Sequence, residues 1–223
     1  MSIVVMTQDQ EEIRLHGQRL LEYVLDKFPS PGSVTDVGTG AGFSAKVFLE
    51  FKYDVTGISL GDAPKSNTLH PKYTHIKKNV FDVELRHADI LWCCHTLEHI
   101  PNVGMFLTKC RWLTKPGGMF CIVVPSDPTN LLVDGHLTFW TPAHLIYNLV
   151  LAGFNCKDAK WYTEGRDIAL IVPRDDMPQV DLHYDSGDLE YLTPYFPVPL
   201  VHRQTSPWLA DNFEVDNEDS DIR

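Results

Sequence analysis

The sequence predicts an α/β fold, a doubly wound Rossmann-like sandwich on a mainly parallel sheet, and three observations carry that prediction. Short apolar runs at 34–37, 54–58, 73–76, 89–94 and 119–124 recur with helix-length stretches between most of them, which is the rhythm of βαβ units. The first run leads directly into alternating glycines at Gly38, Gly40 and Gly42, a strand-to-helix turn with a bare backbone. The last two runs, 156–162 and 168–172, are separated only by Thr163 to Asp167. That gap suits a hairpin, so the sheet should end antiparallel.

Composition agrees with one folded domain and narrows its partners. Of 223 residues, 43% are hydrophobic and 22% charged, an ordinary globular mixture. The formal net charge is −11, and long phosphate tracks favour basic surfaces, so extended nucleic-acid binding is not expected. The acidity is concentrated at 211–221, while 72–78 is locally basic. The 5 cysteines form no CxxC pair and no even set, which fits reduced thiols better than a disulfide framework or a zinc finger. No run approaches the ~20 apolar residues of a membrane helix, and the first residues do not read as a secretory leader. The expectation is a cytoplasmic chain that makes no membrane contact.

In chain order, Ile13, Leu20, Leu21, Val24, Leu25 and Phe28 follow helical spacing from Thr7 onward, with Thr7 and Gln10 suited to a capping box. Pro29 to Gly32 stops that helix, so 1–31 reads as an N-terminal helical cap ahead of a domain at 32–173. Thr141 and Pro142 open a further helix that runs to Gly153, a capping residue followed by a first-turn proline. Beyond Pro173, prolines alternate with aromatics and the end is acidic. The segment 174–223 therefore reads as an extended appendage with a disordered tip.

The chemistry begins at Asp36-Val37-Gly38-Thr39-Gly40-Ala41-Gly42. Glycine allows close approach of a ligand, and the following helix presents N–H groups at its start. This motif resembles the first motif of class I S-adenosylmethionine-dependent methyltransferases, an acid followed by GxGxG. A dinucleotide fingerprint, GxGxxG, would need glycine where Phe43 stands. The resemblance covers about 32–172. Asp89 to Pro101, containing Leu97-Glu98-His99, is similar to the family's fourth strand and its continuation, and Pro116-Gly117-Gly118 to the turn before its fifth strand. It implies a seven-stranded sheet with an antiparallel last strand. The implied cofactor is S-adenosylmethionine, held by Asp36, Gly38, Thr39, Gly40, Gly42 and His95. By alignment Ser59 faces the ribose and Asn79 the adenine, positions where the family commonly has acids. A serine hydroxyl accepts more weakly than a carboxylate, with Asp62 as a substitute from the loop.

His95, Glu98 and His99 stand together at the carboxyl end of the fourth strand, where such sheets hold ligands. They read as acid–base groups, as metal ligands, or as a network that orders the loop; no metal is expected. The ubiquinone-biosynthesis O-methyltransferases that share this pattern have an acid at the position of His95. A second region, Gly135 to His144, follows the fifth strand by a loop, and such loops commonly carry function. His136 is the leading candidate beside the methyl acceptor, ahead of His99 and His95, against a reading in which His136 caps a turn and Phe139 and Trp140 fill the core. Tyr23 or Arg14 would face the acceptor if the N-terminal helix covers the site. Trp161, Tyr162, Tyr191, Tyr195, Phe196 and Trp208 would form a lid or simply pack. The expected function is methyl transfer to an oxygen or nitrogen of a small molecule or sugar-containing metabolite. A cofactor-binding module without turnover and a nucleotide-dependent oxidoreductase are the rivals.

Overall fold

The computed structural model describes residues 5–6, 12–13, 16–28, 30–65, 70–126, 131–184 and 187–198. Seven strands form one sheet: β1 (Ser33–Val37), β2 (Asp54–Ser59), β3 (Tyr73–Lys77), β4 (Ala88–Cys94), β5 (Thr114–Pro125), β6 (Lys160–Glu164) and β7 (Asp167–Pro173). Their spatial order is β3-β2-β1-β4-β5-β7-β6. The pairs β1/β2, β2/β3, β1/β4 and β4/β5 are parallel, whereas β7 runs antiparallel to both β5 and β6. The order reverses between β1 and β4, and in open α/β sheets that reversal opens a ligand crevice at the carboxyl ends of the strands.

Helices α1 (Gln18–Lys27) and α2 (Phe43–Glu50) cover one face, and α3 (Val103–Leu113), α4 (Pro142–Leu151) and α5 (Asp188–Leu192) cover the other. Strand periodicity explains how one run serves both faces. In β4, Ile90 and Trp92 pack with Leu20, Val24 and Phe48, while Leu91 and Cys93 pack with Phe106, Leu145 and Leu149. A strand buried on both sides reads as a continuous apolar run, which is why 89–94 shows no alternation. Leu91 is fully buried, and truncating it to alanine would cost about 2–5 kcal/mol.

The N-terminal helix starts later than its periodicity predicts. It begins at Gln18 because Gly17 turns the chain with φ 67°, and an added Cβ there would meet Val123 Cγ2 at 2.6 Å. Glu12–Ile13 pairs with Val5–Met6 as a short ladder, not as helix; Thr7, Gln10 and Arg14 lie outside the described residues. The helix at Thr141 forms as read, the Thr141 hydroxyl accepting from the His144 N–H at 3.2 Å. The hairpin is tighter than its five-residue gap suggests, since Glu164 pairs with Asp167 and leaves only Gly165 and Arg166 as the turn. Part of the appendage docks: Leu192 and Phe196 enter the core beneath α4. The acidic tip and Trp208 lie outside the described residues. All 5 cysteines are unpaired thiols. Among the described residues no helix is long and apolar enough to cross a membrane.

Candidate functional site

The first part of the site is the turn after β1. Gly38 and Thr39 donate their N–H groups to Ile58 O at 2.8 and 3.2 Å, which ties the turn to β2. Gly38 has φ 79°, and a Cβ on it would overlap the Thr96 hydroxyl. That hydroxyl donates within 3.2 Å of both Val37 O and Cys94 O. The glycine turn and the loop after β4 are therefore in direct contact. Gly40, by contrast, has nothing but Gly38 O within 4 Å of an added Cβ, so its open side is available to a ligand. No side chain caps α2. Asp36 is buried, and desolvation, partly opposed by Thr39, lifts its carboxyl to about 7. A bare turn with an open side, ahead of an uncapped helix, fits the amino-acid end of S-adenosylmethionine.

Ser59 and Asn79 arrive at the carboxyl ends of β2 and β3, as expected, with their polar atoms engaged locally. The Ser59 hydroxyl donates to Gly61 O at 3.2 Å, and Asn79 Oδ1 accepts from the Phe81 N–H at 3.1 Å, capping the turn Val80–Asp82. Asp62 is exposed and pairs with Lys77 at 2.7 Å. The hydrogen bond from Lys77 holds its carboxyl below the usual range.

The second part is a histidine–carboxylate network between β4, β7 and the loop ahead of α4. His95 leaves β4 with φ 49°, a conformation uncommon for a side-chain-bearing residue. Its Nε2 donates to Asp167 Oδ1 at 2.8 Å, and its Nδ1 lies 3.5 Å from Glu98 Oε1. Asp167 also accepts from His16 Nδ1 at 3.1 Å and the Gly17 N–H at 3.1 Å. Burial works to raise its carboxyl, but the hydrogen bonds from His95 and His16 outweigh that and hold it low. The His16 and His95 rings lie 4.0 Å apart.

Glu98 is fully buried, and no described side chain donates a hydrogen bond to either carboxylate oxygen. Burial raises its carboxyl. His99 donates from Nδ1 to Gly135 O at 2.8 Å and turns Nε2 toward Glu98 Oε1 at 3.9 Å. The His136 ring stands edge-on to that of His99 at 5.0 Å, and the Leu137 N–H donates to Glu98 O at 2.7 Å. The structure thus brings His95, Glu98, His99 and His136 into one cluster. It adds His16 and Asp167, which the sequence reading omits. Of the aromatics, Trp140, Trp161, Tyr162 and Phe196 are buried, whereas Phe139 and Tyr191 are exposed. Tyr23 lies beneath Lys160, whose Nζ is 5.7 Å from its ring.

A methyltransferase-domain family profile matches residues 7–175. A ubiquinone biosynthesis O-methyltransferase of Acinetobacter baumannii is 30% identical over 114 residues, covering 44% of this chain and 46% of the relative. The chain thus spans about half the length of that curated relative. Two solved structures share the fold. A Burkholderia thailandensis 1,6-didemethyltoxoflavin-N1-methyltransferase has a TM-score of 0.59 at 20% identity, covering 71% of this chain and 76% of its own. An Aquifex aeolicus SAM-dependent methyltransferase has a TM-score of 0.58 at 19% identity, covering 70% and 89%. With the profile spanning three-quarters of the sequence, and the strand order and glycine turn in place, the chain belongs to the methyltransferase-domain family, in the class I, S-adenosylmethionine-dependent division.

Proposed function

We propose that this chain transfers a methyl group from S-adenosylmethionine to an oxygen of a small-molecule acceptor. The observation that carries the proposal is the contact of Gly38 with Thr96. It sets the glycine turn, where the cofactor would lie, beside the residue that follows His95. When bound, the cofactor supplies a methyl group on a cationic sulfur, already electrophilic, so alignment can account for most of the rate.

The residues of the chain have three tasks. Asp36, Gly38, Thr39, Gly40 and Gly42 hold the cofactor's amino-acid end, and Ser59 and Asn79 border its nucleoside. Asp167 fixes His95 with its proton on Nε2, which leaves Nδ1 to accept a proton from the acceptor. Gly135 O holds a proton on His99 Nδ1 and turns Nε2 toward Glu98, and His136 completes the acceptor side. Oxygen is favoured over nitrogen by the name of the A. baumannii relative. The net charge of −11 disfavours a polyanionic acceptor.

The test is calorimetry with S-adenosylhomocysteine and NAD in parallel, followed by transfer of labelled methyl to a panel of phenols, catechols and sugars. Micromolar S-adenosylhomocysteine binding with label on an oxygen is the expected result; NAD binding alone would overturn the reading. Tight cofactor binding with no transfer to any acceptor would favour the non-catalytic module. The local engagement of Ser59 and Asn79 is the observation that keeps that reading in view.

A further inference from the structure

We propose that His16 is the positioning residue of His95: it packs on the outer side of that imidazole and shares Asp167 with it, so that the short arm ahead of α1 completes the network. What this does for the reaction rests on the reading of His95 as the group that takes the acceptor's proton.

The arm is fixed first by its backbone. Gly17 has φ 67°, and an added Cβ would stand 2.6 Å from Val123 Cγ2 and 3.6 Å from the Trp92 ring. The chain therefore crosses close over the last residues of β4 and β5. The Cys94 thiol donates to His16 O at 3.6 Å, and the Gly17 N–H donates to Asp167 Oδ2 at 3.1 Å. Strands β4, β5 and β7 thus all touch these two residues before the imidazole of His16 is considered.

The side chain adds two contacts of different kinds. His16 Nδ1 lies 3.1 and 3.2 Å from the two carboxylate oxygens of Asp167. Burial opposes the charge there, but the hydrogen bonds from His95 and His16 hold the carboxyl low. An ionised carboxylate only accepts, so His16 Nδ1 is the donor. The ring of His16 also lies over that of His95, with centroids 4.0 Å apart and planes tilted by 42°. Asp167 Oδ1 thus accepts from both imidazoles, His95 at 2.8 Å and His16 at 3.1 Å. The side chain of His16 is 67% exposed and that of His95 25%, which makes His16 the outer layer between His95 and water.

His95 needs support of this kind. Its φ of 49° is a sparsely populated conformation, which persists only where the surroundings over-determine it. A hydrogen bond at one nitrogen fixes one atom of the ring and leaves the ring free to tilt about that bond. A second ring against its face removes the tilt. Transfer rates depend on such placement, since a shift of about 1 Å can cost about 10²-fold.

The experiment compares His16→Ala, His16→Phe and His16→Asn with wild type, as full chains checked for folding by circular dichroism. Phenylalanine keeps a ring over His95 and removes the bond to Asp167. Asparagine keeps an N–H near the place of Nδ1 and removes the ring. The first readout needs no acceptor: in proton NMR the His95 N–H bonded to Asp167 should appear downfield of the amides while it is shielded from exchange with water. It is assigned by its loss in His95→Gln. The expected result is a sharp signal in wild type, a broader one in His16→Phe and His16→Asn, and none in His16→Ala. His144→Ala, at an exposed position on α4, should leave it unchanged. Absence of the signal from wild type, or its persistence in folded His16→Ala, would overturn the proposal. The second readout is kinetic. With an acceptor that wild type methylates, His16→Ala should lower kcat by about tenfold to a hundredfold and leave KM and S-adenosylhomocysteine affinity within about twofold. A matching loss of cofactor affinity would also overturn the proposal, by making the arm part of the cofactor site. The two readings fail separately: the expected NMR result with no methyl transfer to any acceptor leaves the positioning of His95 standing and removes methyl transfer.

Discussion

Asp167 Oδ1 lies 2.8 Å from His95 Nε2, although 72 positions separate the two residues. The pairing depends on the direction of β7. An antiparallel strand begins where its parallel neighbours end, so Asp167, its first residue, arrives beside the residue that follows Cys94. A parallel β7 would have placed Asp167 at the opposite end of the strands.

Removing that carboxylate should affect rate more than binding. In Asp167→Asn the amide can still accept a hydrogen bond but cannot stabilise a protonated imidazole. We expect turnover to fall by about 10²-fold or more, with S-adenosylhomocysteine affinity within about twofold of wild type. The pH–rate profile supplies a readout that a purely structural role would not move, because loss of the base should remove its ionisation limb. An unchanged profile would take His95 out of proton transfer.

How much of this was legible in the sequence depends on the range of the interaction concerned. The glycine turn, the strand rhythm and the Thr141 cap are local, and each carries its own signal. Gly17 hid in a helical period: apolar spacing ran through it, and the break arises from its approach to Val123, more than a hundred residues away. His16 was masked by the same overextended helix. Asp167 read as a turn residue because nothing near it in sequence reveals His95. The meeting of His136 with His99 needs the loop after β5 to fold back over the turn at Leu97–His99, a tertiary fact without a local signature.

Gly38 offers a stability test. Its φ is 79° and a Cβ would overlap the Thr96 hydroxyl, so Gly38→Ala combines backbone strain with a clash. We expect a loss of about 2–4 kcal/mol, read as a lower midpoint in urea. Gly40→Val should act otherwise. Its added group points into open space, where a ligand would approach, so weaker cofactor binding should exceed any loss of stability. Equal S-adenosylhomocysteine affinity in Gly40→Val and wild type would count heavily against the cradle.

The buried carboxyl of Asp36 gives a pH dependence with a defined sign. Burial raises it from 3.8 to about 7 in the folded protein, so the fold prefers the protonated form. Its contribution to stability is fully present below the unfolded value, declines as pH rises through the interval between the two, and is lost above about 7. At 1.36 kcal/mol per pH unit the interval is worth on the order of 4 kcal/mol. Asp36→Asn should lack this decline, so the variant should gain on wild type between pH 4 and 7. Parallel stability curves for the two proteins over that range would refute the assignment.

Ser59 tests the nucleoside side. Its hydroxyl now donates to Gly61 O, and a carboxylate at that position would accept stronger bonds from ribose hydroxyls. Ser59→Asp should therefore tighten S-adenosylhomocysteine binding by about threefold to tenfold. Weaker or unchanged binding would mean that β2 ends away from the ribose.

The last prediction separates the acceptor side from the cofactor side through His136. Its ring stands 5.0 Å from that of His99, on a loop that leaves the end of β5, while the glycine turn approaches the network from β1 through Thr96. His136 should therefore matter to methyl transfer and little to cofactor affinity. As a proton acceptor it would contribute about 10²–10⁴-fold in rate. His99 Nδ1 holds Gly135 O, so His99→Ala also frees the loop and should lower the melting temperature. His136→Ala should melt within about 2 °C of wild type, bind S-adenosylhomocysteine normally and turn over at least a hundredfold more slowly. A folded His136→Ala protein with wild-type turnover would remove this residue from the mechanism, and one that only melts earlier would make it a cap of the loop.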